Sequence, residues 1–235
     1  MRECYHPNIG GNYHQLSPDG KLEILFFLKE YLAMSNKFSS IANMKTLIIH
    51  PQDSTTAFLT GIYKDLSNKT VITGGLTKKD LLKDIHDHDR VLMMGHGSPA
   101  GLFSVAQFDD TNYIIDASMI ESLQKKNNNI FIWCYADHFV KRNNLKGFAT
   151  GMFISEPSEA LYMGYGYVGN EIIDKSNYTF SSIVAKYLNE PLDVLYENVI
   201  KEYGVLAKTN PIAKYNIERL YLSQSQPVLL PNKFA

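Results

Sequence analysis

Short apolar runs separated by helical patterns constrain the fold of this chain more than any other feature of its sequence. TLIIH (46–50), TVIT (70–73), RVLMMG (90–95) and NIFIWC (129–134) are too short for helices and too continuously apolar for sheets with one wet face. A fifth run, FATGMFIS (148–155), follows. Between them the period changes. DSTTAFLTGIYKDL (53–66) reads as a helix capped by Asp53 or Ser54, LTKKDLLKDIH (76–86) as one capped by Thr77, and ASMIESLQKK (117–126) as a third. Further helices are expected over 135–142, over EPSEALYMGY (156–165) with Pro157 in the first turn, and near 176–188 and 191–206. A hairpin is expected around NYIID (112–116). Such alternation predicts an α/β fold: a three-layer sandwich with a mostly parallel sheet covered by helices on both faces.

The front of the chain is different. Residues 1–20 are rich in Gly, Pro, Asn and His and carry no period. An amphipathic helix is expected over 19–34, then a polar link over 35–44. The predicted organisation is an N-terminal segment, 1–44, that caps the domain or resembles a propeptide, and an α/β domain, 45–235.

With 235 residues, 45% hydrophobic and 20% charged, the chain has the composition of an ordinary globular protein. Lys and Arg number 23 against 24 Asp and Glu, so there is no cationic excess to favour nucleic acid. No stretch approaches the roughly 20 apolar residues of a membrane span. MRECYHPNIGG lacks the apolar core of a secretion signal, and two cysteines, Cys4 and Cys134, make no disulfide framework. The expectation is a cytosolic protein that binds neither membrane nor nucleic acid.

In a parallel α/β sheet, ligands sit beyond the carboxyl ends of the strands, near the reversal in strand order. His96 directly follows the third apolar run and Cys134 ends the fourth, so the two are expected at neighbouring strand ends. A thiolate is the nucleophile; an imidazole raises its fraction and later protonates the leaving group. Gly97 lets the backbone approach closely and frees an N–H, and the Cys134 N–H ahead of a helix is the natural second oxyanion donor. Either residue alone reads as structural, since a cysteine at a buried strand end is usually a small core hydrophobe. At corresponding ends of consecutive strands, they read as a pair.

An apolar block ending in His-Gly, then an apolar block ending in Cys, resembles the caspase-like (clan CD) cysteine peptidases. GHGS (95–98) is similar to the gingipain form of the histidine motif. GFATGMFISEPSEALYMGY (147–165) resembles the segment after the cysteine in gingipain-like and CHAT-domain proteins, and LYLSQSQPVLLP (220–231) their closing Leu-rich segment without its Gly-Asp-Pro. The resemblance implies a thiol protease with His96 as acid/base, Cys134 as nucleophile, and Gly97 and Cys134 as oxyanion donors, acting on a peptide or protein without metal or organic cofactor. It places the pocket for the residue before the scissile bond among His50, Asp53, Ser155 and Glu156. An acid there, Asp53 or Glu156, favours a basic side chain. The plainer reading of those two is helix capping.

Two positions depart from the family. Trp133 stands where alanine is usual, and Tyr135-Ala136-Asp137 where a glycine often falls. They motivate a second expectation, a non-catalytic caspase-like or flavodoxin-like module that binds a protein partner or small ligand. Other signals are weaker. His86 and His88 flank Asp87 without further ligands of metal-binding spacing and read as a solvated helix end. His138 points along its helix. TGG (73–75) lacks a P-loop lysine, G-x-S-x-G is absent, and the aromatics from Tyr162 to Tyr167 read as packing.

Overall fold

The computed structural model describes residues 41, 43–108 and 111–224. The chain divides at Ser39–Ser40, and every described residue belongs to the second unit. The helix expected over 19–34, Cys4 and the QPVLLP tail lie outside the described residues.

Strand β1 (Thr46–Ile49) pairs in parallel with β2 (Lys69–Ile72) on one side and β3 (Arg90–Met94) on the other. Beyond β3 come β7 (Ile130–Ile132) and β8 (Gly147–Thr150), also parallel. The last strand, β9 (Leu220–Ser223), pairs antiparallel with β8 at the sheet edge. The resulting order, β2-β1-β3-β7-β8-β9, turns direction between β1 and β3, as in doubly wound sheets. The fold is therefore a mixed α/β one with a mostly parallel six-stranded sheet.

Side chains alternate along these strands, which is why both faces are apolar. Leu47, Ile49, Val91, Met93, Phe131 and Trp133 point to one face, against α2 (Lys78–Asp87), α3 (Ile120–Gln124) and α4 (Ala136–Arg142). Ile48, Leu92, Met94, Ile130, Ile132 and Phe148 point to the other. There they meet α1 (Thr60–Tyr63), α6 (Asn170–Tyr187), α7 (Leu192–Ala207) and α8 (Pro211–Ile217). Thr77 caps α2 by accepting the Asp80 N–H, as its position predicts.

Several elements differ from the sequence reading. The helix expected over 53–66 is a turn at 53–56, a 3-10 turn over Ala57–Leu59, and a single α-helical turn, α1. The fifth strand stops at Thr150, and Pro157–Tyr162 forms a short helix, α5. NYIID supplies β6 (Tyr113–Ile115), the third strand of a small antiparallel sheet with β4 (Gly97–Ser98) and β5 (Gly101–Phe103). His88 is not solvated: it is 4% exposed, with Nδ1 2.6 Å from the Asp84 carbonyl and Nε2 2.8 Å from Thr70 Oγ1. Nor do the aromatics near 165 form packing, because Tyr162 and Tyr167 are largely exposed and only Tyr165 meets another ring, Tyr215.

Candidate functional site

Met94 and Ile132 are register partners across β3 and β7, and His96 and Cys134 each stand two residues beyond them. Parallel pairing thus brings both to the carboxyl edge of the sheet. Gly95 makes the exit turn from β3 at φ +141°, a conformation in which a side chain is strained. His96 and Cys134 line one narrow crevice with Thr56, Leu59, Phe153 and Ser155. The space inside it open to a water-sized molecule is about 20 Å³.

The histidine is held from the β1 side. Its Nε2 lies 3.0 Å from Asp53 Oδ2 and 2.7 Å from Thr55 Oγ1. Thr55 Oγ1 in turn donates to Asp53 Oδ1 at 2.8 Å, while the N–H groups of Thr55 and Thr56 donate to the same oxygen. With the hydroxyl proton committed to the carboxylate, Nε2 carries the ring proton and Nδ1 is left as the free nitrogen. Burial resists ionisation of Asp53, but the Thr55 hydroxyl, the His96 ring and the two backbone donors outweigh it and lower its pKa.

The cysteine meets a different environment. Cys134 is half-buried, with Sγ 3.6 Å from the Phe153 carbonyl and 3.8 Å from Glu159 Oε1. Burial, then the Glu159 charge, push its thiol up to about 12. Tyr135, immediately after it, has φ +66°, the left-handed conformation that a glycine would adopt without strain. The tyrosine therefore occupies a glycine-like position at the entry to α4.

Trp133, on the other side of the cysteine, belongs to the core. It is buried between Phe131 and Phe139, and its Nε1–H donates to the Ser98 carbonyl at 3.1 Å. A Cβ on Gly97 would collide with the Trp133 ring and stand 2.6 Å from the Gly101 carbonyl. The close approach at Gly97 is thus made by the indole. Phe103 N–H donates to the His96 carbonyl at 2.8 Å, which makes Gly97–Leu102 a pair without mutual hydrogen bonds. The Gly97 N–H accordingly points off the free edge of β4.

The remaining pocket candidates separate. His50 is fully buried, with Nδ1 2.9 Å from Tyr63 Oη and Nε2 3.3 Å from Thr56 Oγ1, so neither nitrogen is free for a ligand. Asp53 caps the 53–56 turn and holds His96. Ser155 lines the crevice and also a neighbouring groove of about 260 Å³, to which Glu156 belongs. Glu156 forms a capping box with Glu159 at the start of α5. Thr55 and Glu159 went unrecognised from sequence. The first was legible as part of an Asp-Ser-Thr-Thr turn after a strand; the second shows only as the N3 acid of a helix. His138 is more than half exposed and lies 3.9 Å from Asp137, away from the crevice.

Among the described residues no group of three or more His, Cys, Asp or Glu could hold a metal ion, and no helix is long and apolar enough to cross a membrane. Fold and site define a mixed α/β protein with an acid-held histidine after β3 and a cysteine after the neighbouring β7. No protein-family model, curated protein or solved structure matches the chain.

Proposed function

We propose that this chain is a caspase-like cysteine hydrolase that cleaves peptide bonds with Cys134, His96 and Asp53. The observation that carries the reading is that His96 and Cys134 each follow the register partners Met94 and Ile132 by two residues and line one crevice, with Asp53 on the imidazole. In this reading the Cys134 thiol gives its proton to His96 as Sγ forms a bond to the scissile carbonyl carbon and the carbonyl π bond breaks toward oxygen. The Gly97 and Cys134 N–H groups hold the oxygen as it gains charge. His96 gives its proton to the departing amine, Asp53 stabilises the imidazolium, and water then hydrolyses the thioester. Asp53 acts here by positioning the ring rather than by lining a substrate pocket.

The test is cleavage of a fluorogenic peptide library by the full chain. Cys134→Ala is expected to abolish cleavage. Asp53→Asn should lower kcat roughly 10- to 1,000-fold, shift the pH profile and leave KM little changed, since the lost interaction orients the ring. Cleavage that survives Cys134→Ala sinks the proposal.

The second reading is a non-catalytic caspase-like module that binds a partner or small ligand. It is favoured by the narrowness of the crevice and by acceptors, not cations, around the sulfur. On this reading Cys134→Ala changes neither the fold nor ligand binding, and no peptide is cleaved.

A further inference from the structure

Glu159 lies 25 residues beyond Cys134, yet it supplies one of the two polar atoms that touch the sulfur. The other is the Phe153 carbonyl. Both are acceptors. A thiol proton is welcome there, whereas a thiolate would face lone pairs on both contacts.

The Glu159 carboxylate is anchored. Its Oε2 accepts the Ser155 N–H at 2.7 Å, the Ser155 hydroxyl at 3.0 Å and the Glu156 N–H at 3.3 Å, which leaves Oε1 for the sulfur. Segment 153–156 therefore carries one acceptor of the thiol and every donor that fixes the other. The same segment walls both openings: Phe153 and Ser155 the crevice, Ser155 and Glu156 the groove beside it.

The charged groups around the sulfur are few. Glu159 and, farther off, Glu156 face it from the start of α5, and His96 with its partner Asp53 lies across the crevice. No Lys or Arg lines the crevice among the described residues. Burial and the two acids outweigh the one backbone contact that favours the thiolate.

We infer that Glu159 and the Phe153 carbonyl hold Cys134 as a thiol in the free protein, and that the thiolate forms only when Glu159 Oε1 leaves the sulfur. The purpose of this latch rests on the peptidase reading. Its chemistry does not. When Oε1 leaves, the sulfur gives its proton to a base, solvent hydroxide in the isolated chain and His96 in the peptidase reading, so atoms and charge balance.

The experiment is alkylation of Cys134 by iodoacetamide in the full chain carrying Cys4→Ser, followed by peptide mass spectrometry. Glu159→Gln removes the charge while its amide oxygen still accepts from Ser155. At about pH 8 its rate is expected to rise around tenfold, the change in thiolate fraction for one unit of thiol pKa. Glu156→Gln, which does not touch the sulfur, should change the rate less than about threefold. Equal rates in the parent and Glu159→Gln, or an equal rise in Glu156→Gln, overturn the latch. A measurement without substitution at the site is the ultraviolet thiolate absorbance of the Cys4→Ser chain. It should stay silent up to about pH 9, and a thiolate formed below about pH 8 overturns the latch. If no peptide is cleaved by any variant while Glu159→Gln reacts faster, the peptidase reading falls and the latch stands. Cleavage with unchanged alkylation is the reverse.

Discussion

His50 and Asp53 stand three residues apart after β1, and the fold treats them oppositely. Asp53 is partly exposed and fed by donors, so its charged form is stabilised. His50 is sealed beneath it, and burial, only partly offset by the Asp53 charge, lowers its pKa from 6.5 to about 4. The sign of the consequence follows from linkage. Between about pH 6.5 and 4 the unfolded chain binds a proton at His50 that the folded chain refuses, so stability falls as pH falls through that window. The effect amounts to roughly 3 kcal/mol at its acid end. Asp53, with a lowered pKa, loses its contribution only below its ordinary 3.8, outside that window. Urea unfolding of the parent and of His50→Gln at a series of pH values checks this. The variant should be less stable near neutrality yet lack the slope; parallel curves would remove the assignment. From sequence, the residues after β1 could be listed as site candidates. Which of them faces the crevice and which is sealed in depends on the turn at 53–56.

At the scale of elements, the β4–β5 hairpin is seated on Trp133. The indole fills the space a Cβ on Gly97 would need and bonds the Ser98 carbonyl, so hairpin, strand β7 and helix α4 meet at one side chain. Gly97→Ala forces the indole or the hairpin to move, and overpacking of this kind costs roughly 1–3 kcal/mol. The predicted readout is a lower melting temperature with a changed indole fluorescence, Trp133 being the single tryptophan. A Gly97→Ala chain with the parent's melting temperature and emission would show that the hairpin is not clamped. Strand positions were legible because continuous apolar runs of four to six residues have few other uses. The lengths of the short helices over 57–63 and 157–162 were not, since amphipathic spacing cannot tell one turn from four.

The molecule as a whole is tied across its layers by Arg90. It is 1% exposed at the start of β3, and its guanidinium bonds Thr46 Oγ1, the Leu188 carbonyl and Asn189 Oδ1 at 2.8, 2.7 and 3.0 Å. Burial lowers its pKa to about 10, so it remains charged at neutral pH. Arg90→Ala opens a cavity and strands these acceptors between sheet and the α6–α7 turn, an expected loss of roughly 3–5 kcal/mol. Denaturant unfolding measures it, and a loss below about 1 kcal/mol would show the tie to be dispensable.

By itself the sequence determined the class of the fold and the positions of the strand ends, because apolar period sets strands and helices. The third helix-face residue of α5, Glu159, could not be assigned to the sulfur, nor Asp53 to the ring, since both contacts are made by chain returning to the same edge from distant positions. The pair His96 and Cys134 was visible as two strand ends. Its electrostatic state was decided only in three dimensions, where an acid holds the histidine from one side and acceptors hold the cysteine from the other.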